Sequence, residues 1–287
     1  MLQDYVKLLF DYSIGIVPAF LIALLISATL SETLPERFFE IVLGSKGIVF
    51  IFLSSIVGAL IPLCTCGMIP LASKLHKKGA SWLVVISFLT AGNASSITAL
   101  FMTLVLGLKI TLFRFLFAVL FGIIVAYIFV LFFKPEKVFY SKPLHQDISG
   151  VPSYKKIINE FQGLFFCFAP WVLVAIVIAS GISIFLKPEN IISFAGIKNT
   201  TSSFLLAISG LPFYFCAGSD IPISKALLEK GASLGSVLSF MTASPGVNLT
   251  SFFVYQKWLG LKNAFIYLAI STLTCGILGL VLNILLY

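Results

Sequence analysis

An all-α, polytopic membrane protein is what this chain predicts, and three observations lead there. Of its 287 residues, 59% are hydrophobic and only 10% are charged, which is too apolar for a soluble domain of this size. Several apolar runs reach the roughly 20 residues that a helix needs to cross the hydrocarbon core. These runs are continuous, without the two-residue alternation that a membrane barrel requires. The net charge of +8 comes from lysines scattered between the runs. That scatter suits the positive-inside bias of membrane loops and argues against nucleic-acid binding.

The first run, 8–30, follows Lys7, contains Asp11 and Pro18, and lacks a small-residue cleavage site. It is expected to be the first membrane helix and not a removable signal. Asp11, four residues after Lys7, is expected to pair with it at the interface. Runs 48–61 and 68–75 flank a helix-breaking stretch, and runs 82–106 and 110–133 follow. His76, among Lys74, Lys77 and Lys78, is expected at a solvated helix end, and Arg114 is expected to snorkel to the interface. Residues 134–156 hold three prolines and five lysines, the composition of a linker. The series resumes with runs 161–186, 202–215, 221–228, 234–258 and 264–286. The expected organisation is a membrane unit at 1–133, a cytoplasmic linker at 134–158 and a second membrane unit at 159–287.

Laying the second half on the first at an offset of 152 residues matches 64–98 with 216–250 without a gap, and 14 of the 35 positions are identical. A shared apolar bias would explain repeated leucines but not a repeated Lys-Gly-Ala-Ser, at Lys78 and again at Lys230. Shifted by one, Leu106-Gly107-Leu108-Lys109 matches Leu259-Gly260-Leu261-Lys262. Two internal repeats are therefore expected, a common plan of secondary transporters. If each broken stretch crosses the bilayer, the repeats are parallel and the chain has eight passes. If each is a re-entrant hairpin, they are inverted, with six full passes and two hairpins. Basic residues fall 11 inside and 8 outside in the first arrangement, and 12 and 7 in the second, which does not separate them. The apolar pieces before the breaks, 48–61 and 202–215, are 14 residues each. Half-helices are that short, which favours inversion.

The break itself, Pro62-Leu63-Cys64-Thr65-Cys66-Gly67-Met68-Ile69-Pro70, is where chemistry is expected. Irregular backbone at membrane depth is tolerated where it is buried in protein or lines a cavity. Cys64 and Cys66, one residue apart, can aim two soft sulfurs at one point, which suits soft ions or thiophilic centres; buried cysteine also packs as a small hydrophobe. The matching stretch of the second half holds Cys216 and Asp220. An acid at that depth marks an ion or proton path, unless it merely caps the helix beginning at Pro222. Asn93 and Asn248 lie mid-run among small residues, as ligand contacts or as an interhelical clasp. Cys167 and Cys275 are expected in the core. No HExxH, no GxxxxGK[ST] and no nucleotide-binding cassette occurs, so no catalytic group, cofactor or resident metal is expected.

The Pro62-Leu63-Cys64-Thr65-Cys66-Gly67 motif, with Lys78-Gly79-Ala80-Ser81, Ser87-Phe88-Leu89 and Asn93, resembles the predicted permease family that contains the ArsP exporters of trivalent organoarsenicals. Members commonly carry Cys-Ser-Cys where this chain has Cys64-Thr65-Cys66, and a cysteine near Cys216. The resemblance implies a multi-pass permease of the inner membrane and, in the ArsP branch, thiol-assisted binding of trivalent arsenicals. The expected function is a secondary transporter, an exporter of a small thiophilic or anionic solute held by Cys64, Cys66, Cys216, Asn93 and Asn248. Asp220 would couple transport to a proton or ion. Two alternatives remain open: thiol or sulfur redox chemistry at Cys64 and Cys66, and a passive channel or a subunit of a larger assembly.

Overall fold

Helix is the regular structure of every described element, as the apolar runs require. A computed structural model describes residues 47–61, 80–132, 201–211 and 218–286, with residues 17, 18, 21, 22, 25, 68, 72, 76, 158, 162 and 196. Helix α1 (Ile48–Leu60) ends where Ile61 turns extended, the conformation that a following proline, here Pro62, imposes. Helix α2 (Trp82–Ala94) starts at Ser81, whose hydroxyl accepts from the Val84 amide. Then come α3 (Ile97–Thr103), a 3-10 turn (Leu104–Leu106) and the long α4 (Leu108–Phe132). The second half supplies α5 (Ser202–Gly210), α6 (Ile221–Glu229), α7 (Leu234–Gly246), α8 (Leu249–Leu259) and α9 (Leu261–Leu286).

Boundaries recur along the chain. Helix α7 starts and ends 152 residues after α2, and α8 starts 152 residues after α3. Helices α4 and α9 start 153 residues apart. Each of these two is entered through a glycine in the left-handed region, Gly107 at φ 111° and Gly260 at φ 87°. That backbone need accounts for the Leu-Gly-Leu-Lys match.

The packing repeats as well. Helix α2 lies against α1 and α4, and α7 lies against α5 and α9; α2 then meets α7, and α4 meets α9. Helices α2 and α7 are central, with Val84 to Ala94 and Gly235 to Ser244 buried throughout. Small residues allow the close approach. A Cβ on Gly58 would run into the Phe88 backbone, and one on Gly210 would lie 3.1 Å from the Ser244 nitrogen. Hydroxyls bridge the helices: Ser55 donates to the Val119 carbonyl at 2.8 Å, Ser87 to Ile51 at 3.2 Å and Ser239 to Cys275 at 2.9 Å.

The outer helices turn leucine outward. Leu108, Leu112, Leu116 and Leu120 form an exposed i, i+4 stripe along α4, and Phe265, Ala269, Leu273, Ile277 and Val281 do so on α9. Exposed stripes of this kind, opposite faces carrying Gly122 and Ser271, suit lipid and not water. Among the described residues, Trp82–Leu106, Leu108–Phe132 and Leu261–Leu286 are long and apolar enough to cross a membrane, and Ile48–Leu60 is a shorter apolar helix.

Several expectations need correction. Runs 82–106 and 234–258, which look unbroken in the sequence, are each split, at Ser95-Ser96 and at Val247-Asn248. His76 is half-buried and not simply solvated: its ring lies 4.0 Å from that of Trp82 and its Nδ1 is 3.0 Å from the Ala80 carbonyl. Arg114 does not snorkel; it is 1% exposed, for a reason given below. Cys275 is buried and free, as expected of a core cysteine.

Candidate functional site

Two helix discontinuities meet at the centre of the described structure. The first lies between α2 and α3. Ala91 accepts the Ser95 amide to close α2, Ser95 and Ser96 are both extended, and the Ser96 hydroxyl receives the Ala99 amide to open α3. The second lies between α7 and α8, where Asn248 does both jobs. Its Oδ1 receives the Ser251 amide at 2.8 Å, while its Nδ2 donates to the Ser244 and Pro245 carbonyls at 2.9 Å each. One amide thus closes α7 and caps α8, satisfying backbone groups that would otherwise be orphaned. A Cβ on Gly246 would lie 3.3 Å from the Ala94 Cα, so the ends of α2 and α7 touch. The repeat counterpart of Asn248 is Ser96 and not Asn93.

Asn93 serves a different contact. Its Nδ2 donates to the Tyr255 hydroxyl at 2.6 Å, from the end of α2 to α8. The Tyr255 ring lies 4.4 Å from that of Tyr267 on α9, and the Tyr267 hydroxyl donates to Thr90 at 3.3 Å. These groups join the first half to the second through neutral hydrogen bonds.

Asp220 stands immediately before α6. Gly218, at φ 86°, turns the chain so that the Ile221 amide reaches the Gly218 carbonyl at 3.1 Å. A Cβ there would also lie 2.8 Å from the Met102 Cβ on α3, so two independent constraints favour glycine. Asp220 occupies the cap position of α6, but its side chain makes no capping bond. It turns instead to Arg114, 3.0 Å away, with both side chains 1% exposed. Arg114 also donates from Nη1 to Thr103 at 2.9 Å and from Nη2 to the Met241 carbonyl at 3.3 Å. It thereby ties α3, α7 and the turn before α6.

Sequence reasoning had Asp220 and missed Arg114. The signal was present, because one cation within the 25 mostly apolar residues of α4, five positions beyond Lys109, demands a partner at depth. Among the described residues, ten buried polar side-chain atoms have no hydrogen-bond partner. Eight of them belong to the breaks and their neighbours: Ser95, Ser219, Thr242, Ser244 and Ser251 hydroxyls, the Arg114 Nε and both Asp220 oxygens. Orphaned polar atoms are costly in a dry interior, and those gathered here are free to bond a polar group that reaches the breaks. No cluster of three or more metal-ligating side chains occurs among the described residues. Cys64, Cys66 and Cys216, like Asp11, Cys167 and the linker, lie outside them.

Comparison with known proteins bears on the whole chain. A family model described as a predicted permease matches residues 2–284. The UPF0718 protein MJ0584 of Methanocaldococcus jannaschii is 22% identical over 348 residues, an alignment that covers 98% of this chain and 95% of that one. No solved structure matches the chain.

Proposed function

The chain belongs to the predicted permease family, and from that premise we propose that it is a secondary transporter, an exporter of a small thiophilic or anionic solute. Family and apolar helices together make it a multi-pass integral membrane protein that moves small substrates across a lipid bilayer. A permease acts by moving its substrate and not by transforming it. Its membrane is the inner membrane, with residues 134–158 on the cytoplasmic side and the units at 1–133 and 159–287 related as inverted repeats.

One observation carries the transporter reading: the ends of α2 and α7 touch, and the buried Ser95, Thr242, Ser244 and Ser251 hydroxyls beside those two breaks have no partners. Discontinuous helices present helix termini, and with them partial charges, to a solute at the bilayer midplane. Moving a solute requires that its partners be provided at depth and given up again, which a saturated, dry core cannot do. The soft ligands of the proposal are Cys64, Cys66 and Cys216, and trivalent organoarsenicals are the thiophilic solutes that the family resemblance offers for them. Asn248, which holds its break, and Asn93, which bridges α2 to α8, contact the solute beside those breaks, and Asp220 couples its movement to a proton or ion.

The test is transport of a trivalent methylarsenical into everted membrane vesicles. Cys64→Ser with Cys66→Ser is expected to abolish accumulation while the protein inserts at the normal level. Unchanged accumulation refutes the thiol-based site.

A further inference from the structure

Arg114 and Asp220 are joined at depth by a contact that leaves polar atoms of both residues without partners, and from this we infer that Arg114 is the receptor for anionic oxygens on the solute. Asp220 is then a resident carboxylate that an incoming oxyanion displaces. The inference rests on the permease reading and names a substrate class for it.

A permanent buried ion pair repays its desolvation only when the remaining donors and acceptors are also satisfied. This pair is not saturated. Nη2 approaches one carboxylate oxygen at 3.0 Å, while the other carboxylate oxygen and the Arg114 Nε have no side-chain partner. The hydroxyl of the adjacent Ser219 has none either. A guanidinium is a planar fork that holds an oxyanion through two parallel hydrogen bonds. Spare donors beside a monodentate carboxylate are therefore the complement of a ligand with more acceptor oxygens than Asp220 can aim. Helix α6 begins at Ile221, so its positive end faces the same position and adds to the potential once Asp220 withdraws.

The repeat supplies the control. At the matching offsets, Met68 stands for Asp220, Thr103 for Tyr255, and Arg114 for Tyr267. The related contact between the halves is built from Tyr267, Tyr255, Thr90 and Asn93 without a single charge. Neutral groups thus suffice to join α9 to its neighbours, whereas α4 uses a buried arginine. Holding the halves together does not explain the charge; binding an anion does. The position also suits the task, since Arg114 reaches both α3 and α7, one member of each broken helix.

The experiment is calorimetric binding of thiosulfate to the full chain in lipid nanodiscs. Thiosulfate combines oxyanion oxygens with a soft terminal sulfur, and sulfate is the control without that sulfur. Asp220→Asn is expected to bind thiosulfate at least about tenfold more tightly than the wild type, because Arg114 no longer has a competitor. Arg114→Gln is expected to weaken binding by at least about tenfold. The double variant, R114Q with D220N, leaves no buried charge unpaired; it is expected to fold and insert, yet not to bind. The proposal is overturned if the double variant binds like the wild type, if Asp220→Asn binds no more tightly, or if neither wild type nor Asp220→Asn binds thiosulfate at all. Arsenical transport that persists while thiosulfate binding ignores Arg114 removes this inference and leaves the permease reading. Arg114-dependent binding without flux of either solute in proteoliposomes does the reverse.

Discussion

Replacing Asn248 tests how the second helix break is held. In Asn248→Ala three hydrogen bonds vanish together: the 2.8 Å cap to the Ser251 amide and two 2.9 Å donations to the Ser244 and Pro245 carbonyls. Loss of an asparagine cap costs about 1 kcal/mol. Side-chain hydrogen bonds inside membrane proteins average about 0.6 kcal/mol each, so the two donations contribute about another 1 kcal/mol. Asn248→Ala should therefore destabilise the protein by about 2 kcal/mol. Asn248→Ser has a sharper expectation, because it rewrites the second break in the form of the first, where Ser96 caps α3 with its hydroxyl. It keeps the cap and loses the donations, so it should recover about half of the loss. Unfolding in mixed micelles, followed by circular dichroism, gives both values. Equal damage from alanine and serine would refute the capping argument. An alanine variant as stable as the wild type would refute the clasp altogether.

Two further outcomes can be checked. Tyr255→Phe removes the hydroxyl that receives the Asn93 amide, at a cost of about 1 kcal/mol in the same unfolding assay; combined with Asn93→Ala, the effects should fall short of their sum, and strict additivity would show the two groups to be uncoupled. Leu120, at the middle of α4 and 47% exposed, tests the lipid stripe. Leu120→Lys should impair insertion of that helix by about 3 kcal/mol in a glycosylation-based insertion assay, whereas a face turned to water would accept the lysine without effect.

The path from sequence to site was uneven in instructive places. Asp220 was legible because a charge in an apolar run announces itself. Arg114 was equally visible but was placed at the interface, since a long side chain can escape to water if nothing else claims it. Its partner lies 106 residues away, and no local pattern expresses that adjacency. The breaks at Ser95-Ser96 and Val247-Asn248 left local signs, glycine and proline followed by capping residues. Unbroken hydrophobicity masked them, because an apolar average over 20 residues hardly registers two extended ones. The asparagines looked like a pair for the same reason; their hydrogen bonds show that Asn248 holds a break, while Asn93 bridges to α8.

By itself, the order of amino acids determined the all-helical membrane class, the family and the correspondence between halves. Those features rest on hydrophobicity and residue identity, which accumulate along the chain and need no knowledge of contacts. Only the tertiary structure decided that Arg114 is buried, that it meets Asp220, and that the two broken helices touch through Ala94 and Gly246. Whether a buried polar group is tolerated depends on which distant group reaches it, and that is a property of packing and not of sequence neighbourhood.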